Sequence, residues 1–459
     1  GVVGGGIAGL ATALDLLDEA ERRGHAVHVT VFEKDPDTGG NLRTLRHAGF
    51  QMEWGPNGFL DNEPATLRLV ERVGLTDALQ RSSDAARRRF LLVEGRLREI
   101  PTSPGAFVRS DLLKTSAKLR MAGELFVPQR KNLGRAAEDV ATDETIADFG
   151  RRRLGSEFTR IMLDPMVKGV FGGEAERLSL AAAFPRMVEL ARQYGGVCKA
   201  MIKLGREKKK TGRSRTDAGP TGTLHSFDGG MNQLIGSVSD ALTADGRAEL
   251  VRGADVTAIE SRPDGWQVVV DRAHGPFDVV IDAAPAHAAA RHLEPVAEEL
   301  ARQLAQIPFA PMAVIALGFD RRNVTHDLDG FGLLVPGSED RDLLGALWTS
   351  SIFPGRAPED KVLLRCMAGG AGNPGVMELD DEALVTLILA EIRSLLGIKG
   401  APELARVIRH ERAIAQYEPG HLARLTEIDR ELDRHPGLYL TGSSYRGISV
   451  NACVKEAES

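Results

Sequence analysis

Cysteine is scarce: Cys198, Cys366 and Cys453 are the only three in 459 residues, far apart and odd in number. No CxxC pair or Cys/His cluster accompanies them, so neither a disulfide framework nor a zinc site is expected, and reduced thiols of a cytosolic compartment are. Long hydrophobic runs are also lacking. The longest, such as Phe309 to Phe319, fall short of the roughly 18–20 residues that a membrane-spanning helix needs. Nor is there an excess of positive charge. A net charge of −6 and a pI near 6.1 give no global electrostatic reason to bind nucleic acid. There is no signal-peptide stretch. The chain opens at Gly1 inside a strand-like segment and ends, from Lys455 to Ser459, in a helical pattern, so a few natural residues are expected to precede it. What is present, 42% hydrophobic and 27% charged residues, describes a globular chain of roughly three domain lengths with a sizeable core.

The first forty residues read as strand, tight turn, helix, strand. Val2 and Val3 end a strand, and Gly4-Gly5-Gly6-Ile7-Ala8-Gly9 makes the turn. Leu10, Ala13, Leu14 and Leu17 then recur with helical period, and Gly24 stops that helix after Arg22 and Arg23. Val27, Val29 and Val31 alternate in a second strand ending at Glu33. From about Asn62 to Lys210 the pattern is mostly helical, with helices expected at 65–73, 116–126, 145–154 and 181–194. A strand-rich meander follows at 255–260, 266–271 and 277–281. Strands near 313–319 and 362–367 and a helix over 383–396 come next, and the tail is a strand at 438–440, a Gly442 turn and a helix from about Asn451.

Gly4-x-Gly6-x-x-Gly9 sits where a dinucleotide loop must sit. Gly4 permits the tight turn, Gly6 lets backbone approach a pyrophosphate, and Gly9 lets helix and strand pack closely. The helix N-terminus offers unpaired N–H groups and a positive dipole to phosphates. Glu33 is placed for ribose hydroxyls and would repel a 2′-phosphate, which argues against NADP. Two later segments bear on FAD versus NAD. Gly39-Gly40-Asn41 is a second glycine pair suited to an extended cofactor. Leu440-Thr441-Gly442 followed by Gly447-Ile448-Ser449-Val450-Asn451 reads as a strand feeding a helix N-terminus, which would stabilise negative charge on a reduced flavin ring. An ordinary strand–turn–helix closing the domain is the alternative reading of that tail.

Together these segments, with Glu53-Trp54-Gly55-Pro56-Asn57 and the 443–454 tail, resemble the amine-oxidase superfamily of flavoproteins, and most closely its oxygen-dependent protoporphyrinogen oxidase family. The branch-specific likeness lies in Gly55-Pro56-Asn57-Gly58-Phe59-Leu60-Asp61, Arg88-Arg89-Phe90 leading to Gly95-Arg96-Leu97, and Pro101-Thr102-Ser103-Pro104. It continues in Gly169-Val170-Phe171-Gly172-Gly173, Phe227-Asp228-Gly229-Gly230-Met231, Gly330-Phe331-Gly332-Leu333-Leu334-Val335-Pro336, and Tyr445-Arg446-Gly447 before Val450-Asn451-Ala452-Cys453. It covers essentially the whole chain.

The resemblance implies an α/β protein with a discontinuous Rossmann-like FAD-binding domain (1–80, 216–287 and 407–459). A mixed-sheet substrate domain (81–98 and 288–406) and a helical, membrane-associating lobe (99–215) complete it. One noncovalent FAD is implied, held by Gly4, Gly5, Gly6, Ile7, Ala8, Gly9, Glu33, Gly40, Asn41, Met52, Glu53, Trp54, Gly55, Val256 (in the strand that meets the adenine), Ser443, Ile448, Ser449 and Val450. Cys453, inside the last helix rather than in the 443–445 loop, argues against a covalent flavin. The implied activity is oxidation of protoporphyrinogen IX to protoporphyrin IX in haem biosynthesis, with dioxygen as acceptor and peroxide released; coproporphyrinogen III is the rival substrate. Hydride leaves a meso carbon and aromaticity drives the oxidations, so the protein mainly positions the substrate, and no general acid or base is assigned. Pocket-lining residues by resemblance are Asn57, Gly169, Leu333, Leu334, Ile352 and Met367. Asn57 stands where some relatives carry a propionate-binding arginine; Arg88, Arg89 or Arg96 are the substitutes considered.

An amine oxidase would present an aromatic pair at the flavin, whereas this tail offers Tyr445 alone; a carotenoid desaturase and a carrier without turnover are the remaining readings. No metal and no nucleic-acid partner are expected. Some relatives are dimers, which leaves a homodimer open. The basic run Lys199, Lys203, Arg206, Lys208, Lys209, Lys210, Arg213 and Arg215 is either a solvated loop or a peripheral contact on the cytoplasmic face of a membrane. Phe107, Leu112, Leu113 and Phe126 are its expected apolar partners.

Overall fold

The computed structural model describes residues 1–458 apart from Lys131, Leu133, Ile202 and 204–221. Most of the basic run, Arg206 to Arg215, lies outside the described residues. Two sheets organise the chain, and the way each buries its faces places the site.

The first sheet has five parallel strands: β1 (Val2–Val3), β2 (Val29–Glu33), β3 (Ala248–Arg252), β4 (Val280–Asp282) and β5 (Leu438–Leu440), in spatial order 3-2-1-4-5. Side chains alternate across it. Val2, Val29 and Val31 pack with the helices Ile7–Arg23 (α1), Asn232–Asp245 and Val450–Ala457. Val3, Phe32 and Val280 pack on the other side with Ile259, Trp266 and Val268 of an antiparallel meander. In α1 the expected stripe Leu10, Ala13, Leu14 and Leu17 is buried, and Gly24 ends the helix at φ 68°, a left-handed conformation that glycine adopts without strain.

The second sheet has seven strands. From one edge to the other they are Leu404–Ala415, Phe309–Asp320, Lys361–Gly369, Leu343–Leu347, Gly332–Leu334, Arg89–Val93 and Arg96–Glu99; only the contact of Gly332–Leu334 with Arg89–Val93 is parallel. Its two long central strands are buried almost end to end, which is why they read as continuous apolar runs. Helix Asp381–Leu396 covers one face through Leu384, Ile388 and Ile392, packing on Ile315, Leu333, Ala346 and Cys366. The opposite face carries Leu363 against Phe50 and Met52, and Met367 with Met312 and Leu344. Strand Leu404–Ala415 pairs with Phe309–Asp320 as far as Ala415, so this sheet runs past the boundary expected at 406.

Helices Pro104–Arg109, Thr115–Ala122, Ile146–Arg153, Asp164–Phe171 and Pro185–Tyr194 form most of the third region. It is organised around a buried ion pair, Arg153 Nε to Glu124 Oε1 at 2.6 Å. The expected 116–126 helix is an α-helix to Ala122 and a 3₁₀ turn from Gly123 to Phe126. Leu112 and Leu113 are not surface residues: both are buried with Leu91, Val93 and Ile161. Among the described residues no helix is long and apolar enough to cross a membrane.

Candidate FAD and substrate site

In a doubly wound sheet the ligand crevice lies beyond the carboxyl ends of the strands, where the order reverses. Here that is the end of β1 between β2 and β4. Gly4 N donates to Phe32 O at 2.8 Å and Ala283 N to Val3 O at 2.8 Å, which fixes the loop over the sheet edge. A side chain at Gly9 would place its Cβ 2.0 Å from Gly4 O, whereas nothing lies within 4 Å of one at Gly6. The loop is therefore tight at Gly9 and open at Gly6. Gly6 ends the helix with extended backbone and no side-chain cap, and no acidic residue enters the first turn, so the first N–H groups of α1 face the opening. Glu33, buried at the end of β2, accepts from Gly5 N at 2.8 Å and Asp35 N at 2.9 Å. Ionised carboxylate oxygens carry further lone pairs for ribose hydroxyls. These are features a dinucleotide fits.

The crevice is extended by the second glycine pair. Gly39 N donates to Gly5 O at 2.8 Å, and a Cβ at Gly40 would stand 3.6 Å from Gly6 Cα. Gly40 and Asn41 are exposed there. Gly55 is pressed on Asn41, its notional Cβ 2.5 Å from Asn41 O. Within the 52–55 segment the side chains have other duties. Met52 packs with Phe50, Ala316 and Leu363. Glu53 accepts from Thr44 Oγ1 at 2.7 Å, from Met231 N and from Arg356 Nη1 at 3.2 Å. The Met52 and Glu53 side chains are thus engaged by protein, while Trp54 and Gly55 remain partly exposed. Val256 is buried but lies between strands, since the meander starts at Ala258 and not at 255. The preceding backbone is held to β2 instead, Ala254 N to Glu33 O at 2.8 Å.

The C-terminal loop closes the third side. Thr441 N donates to Asp282 O at 3.2 Å, and Gly442 turns at φ 114°. Ser443 and Ser449 are exposed and Ile448 is half-buried, whereas Val450 points into the helical core. Ser449 caps the last helix, its Oγ accepting from Ala452 N at 3.1 Å. Cys453 is buried in that core, and burial pushes its thiol up to about 12. Tyr417, which sequence reasoning missed, pins the loop: its Oη donates to Ser443 O at 2.8 Å and accepts from Gly447 N at 2.9 Å. His421 stacks on Tyr417 at 4.2 Å between centroids and donates Nε2–H to Tyr445 O at 2.8 Å. Burial lowers His421 to about 4, so it is neutral at pH 7.

On the substrate side, the structure brings Leu334, Gly169 and Met367 into one neighbourhood. A Cβ at Gly169 would meet Leu334 Cδ2 at 2.5 Å, and one at Gly172 would meet Met312 Cε at 2.7 Å, so helix Asp164–Phe171 lies on the sheet face of Met312 and Met367. Leu333 is a correction. It neighbours Leu334 in one strand and points to the opposite face, buried against the cluster under helix Asp381–Leu396. Ile352 packs in a separate cluster with Ala86 and Phe353. Asn57 is buried with both amide atoms unpartnered. Of the arginines considered as its substitutes, Arg88 is paired with Glu99 and Asp329, Arg89 lies over the Phe331 ring, and Arg96 is exposed. A cation that reaches this region is Arg365, whose Nη2 donates to Gly55 O at 2.7 Å. Its signal in the sequence is one charge inside the apolar strand Val362-Leu363-Leu364-Arg365-Cys366-Met367.

A 3-2-1-4-5 parallel sheet with this crevice at its switch point defines the dinucleotide-binding class of α/β proteins. Comparison narrows the class. The family model for flavin containing amine oxidoreductases matches residues 7–459. The coproporphyrinogen III oxidase of Propionibacterium freudenreichii subsp. freudenreichii is 31% identical over 99% of this chain and 88% of its own length. The chloroplastic protoporphyrinogen oxidase of Oryza sativa subsp. japonica is 31% identical over 99% and 86%. A crystal structure from Exiguobacterium sp. superposes with a TM-score of 0.81 at 26% identity, covering 100% of this chain and 96% of that one. The chain belongs to the flavin-containing amine oxidoreductase family; it is an FAD-dependent oxidoreductase.

Proposed function

We propose that this enzyme oxidises a porphyrinogen to the porphyrin in haem biosynthesis, with protoporphyrinogen IX as substrate and dioxygen as acceptor. The observation that carries the reading is an apolar sheet face joined to the cofactor crevice. Met312, Leu334, Leu344 and Met367 supply apolar surface, and the same face meets Trp54 and Gly55 through His410 and Arg365. A flat tetrapyrrole needs such a surface and few polar groups. Bound FAD would accept the hydride equivalents and pass the electrons to dioxygen, yielding peroxide.

The chain's own residues position and shield. In this reading the α1 N-terminus receives the pyrophosphate, Glu33 the ribose hydroxyls, the backbone near Val256 the adenine, and the segments 40–41, 54–55 and 443–450 the rest of the cofactor. Helix Asp164–Phe171 covers the sheet face and excludes water. The gain in aromaticity drives the oxidations, and no side chain is assigned as general acid or base. The 99–215 region serves as a peripheral, cytoplasmic-face membrane contact: Phe126 is 88% exposed, Leu119 70% and Val108 68%, three large apolar side chains within one stretch of chain. A homodimer is compatible with this arrangement.

Coproporphyrinogen III is the second reading, favoured by one observation, the buried cation Arg365 beside the apolar sheet face. The test is to incubate FAD-loaded protein in air with each porphyrinogen and follow porphyrin fluorescence and peroxide above the autoxidation blank. Faster turnover of protoporphyrinogen IX supports the first reading and of coproporphyrinogen III the second. No rate with either removes both.

A further inference from the structure

Two-electron oxidation of a porphyrinogen removes a hydride equivalent and a proton, and the proton needs an acceptor. His410 stands where the cofactor crevice meets the apolar sheet face. It lies directly across from Met312 in the neighbouring strand, and Met312 clusters with Leu344 and Met367. Residues opposite one another in paired strands share a face. The His410 ring also meets the Trp54 indole edge to face, 6.4 Å between centroids.

One ring nitrogen is fixed and the other is free. Nε2 lies 3.1 Å from Trp54 O. A carbonyl only accepts, so Nε2 carries the hydrogen, and in the neutral ring Nδ1 then holds a lone pair. Among the described residues no group bonds Nδ1, and unlike the unpartnered Nδ1 atoms of His287 and His421 it is not sealed inside the protein. Burial lowers the imidazole below its ordinary value, the hydrogen bond to Trp54 O opposes this, and the charge of Arg365 lowers it further. Arg43, over the Trp54 ring, is paired with Asp35, and Glu411 and Arg412, next along the strand, are exposed. The ring is therefore neutral at pH 7.

We infer that His410 Nδ1 is the proton acceptor of the first oxidation, taking a pyrrole N–H proton as a meso carbon gives up hydride. The inference rests on the porphyrinogen reading and adds the acceptor that it leaves open. One meso C–H bond and one pyrrole N–H bond break, and the substrate gains one double bond. The hydride, with both electrons, passes through the bound flavin to dioxygen. Hydrogen peroxide needs one proton besides that hydride, so the proton held on Nδ1 completes it and the imidazole returns to neutral. Loss of hydride leaves a cationic substrate whose N–H is acidic, and a weak base suffices for it.

The test compares FAD-loaded wild type with His410→Gln and His410→Ala. The amide in His410→Gln keeps an N–H donor for Trp54 O and lacks a base. Excess protoporphyrinogen IX is mixed anaerobically with each protein, and bleaching of the flavin absorbance is followed by stopped flow as pH is varied. The wild-type rate should fall below about pH 6.5 as the ring protonates. His410→Gln should be about 100-fold slower and lose that pH dependence. Added imidazole should restore part of the rate to His410→Ala and none to wild type. FAD content and the affinity for protoporphyrin IX, by fluorescence titration, should match wild type. Nitrogen-15 spectra of histidine-labelled protein should show His410, assigned by its loss in the variants, as the Nε2–H tautomer at pH 7. A His410→Gln enzyme with the wild-type rate and pH dependence overturns the assignment, and so does an Nδ1–H tautomer. If neither variant loads FAD, the wild type decides, and a bleaching rate that does not fall between pH 7 and pH 5 overturns it. A wild type whose flavin is bleached by neither protoporphyrinogen IX nor coproporphyrinogen III removes the functional reading, and this inference with it.

Discussion

At the scale of single residues, the cofactor loop is constrained by one distance. The Cβ that any other residue would add at Gly9 falls 2.0 Å from Gly4 O, and both atoms belong to backbone that cannot swing aside. Gly9→Ala must therefore push α1 away from β1, which carries the N–H groups off the crevice. Overpacking of this kind typically costs about 1–3 kcal/mol, or roughly tenfold and more in affinity. Gly6→Ala meets no atom and should be milder in the apoprotein, though its methyl would stand where a pyrophosphate is expected to approach. Flavin absorbance per chain, with FAD titration of the apoprotein, checks both. A Gly9→Ala protein that purifies with a full complement of FAD would refute the packing argument.

At the scale of elements, residues 416–421 tie three parts together. Gln416 Nε2 donates to Phe171 O at 2.8 Å, at the end of the helix over the sheet face. Tyr417 and His421 hold the 443–447 loop from the same short segment. Replacing Tyr417 by Phe removes two hydrogen bonds to that loop, worth together about 1–3 kcal/mol. It should raise the loop's cleavage by protease before global stability changes greatly. His421 gives this segment a pH dependence whose sign is defined. The unfolded chain protonates a histidine near 6.5, while the folded chain resists protonation to about 4. Between those values the unfolded state binds more protons, so stability falls as pH is lowered from 6.5 towards 4. His287, lowered to about 4 by burial, acts in the same direction, and Asp15, raised to about 6, acts against it. The contribution of His421 is thus a difference: His421→Asn should lose less stability than wild type between pH 7 and pH 5, measured by urea unfolding. Equal losses would show that His421 is not the group responsible.

This segment also marks where reading the sequence reaches its limit. Glycine spacing and helical period are local, and the turn, α1 and the strand end at Glu33 lie where they place them. The partners of Tyr417 lie some 26 and 30 residues away, and those of Arg365 310 residues away. No periodicity reports such pairings. Leu333 shows the complementary failure. An apolar pair in a strand buried on both faces carries no alternation, so the face each residue takes is decided by register with neighbouring strands alone. The strand order of the first sheet was hidden for the same reason, since β2 and β3 pair across more than two hundred residues.

At the scale of the whole molecule, two features invite measurement. Phe126, Leu119 and Val108 stand out in the lobe, so Phe126→Glu combined with Leu119→Glu should reduce sedimentation with anionic vesicles without changing FAD content. Unchanged sedimentation would remove these side chains from the membrane reading. The second feature is the contact that fastens the two sheets. Arg356 and Glu53 are 1% and 2% exposed; Arg356 Nη1 reaches Glu53 Oε1 at 3.2 Å, and its Nη2 donates to Ser226 Oγ at 2.7 Å and Phe227 O at 3.2 Å. Glu53 ends a strand whose Met52 packs on the seven-stranded sheet, while Met231, which donates to Glu53, is buried beside α1. Burial raises the Glu53 carboxyl above its ordinary range and lowers the Arg356 guanidinium, and each is opposed by the charge of the other. Removing one partner therefore strands the other. Arg356→Met should cost about 3–5 kcal/mol of unfolding free energy, whereas replacing both, with Glu53→Gln added, should restore part of it. Urea midpoints of the wild type, the two single variants and the double variant close the cycle. If the double variant were as unstable as the sum of the singles, the pair would contribute nothing as a pair. The junction would then rest on the apolar contacts of Met52, Phe50 and Leu363.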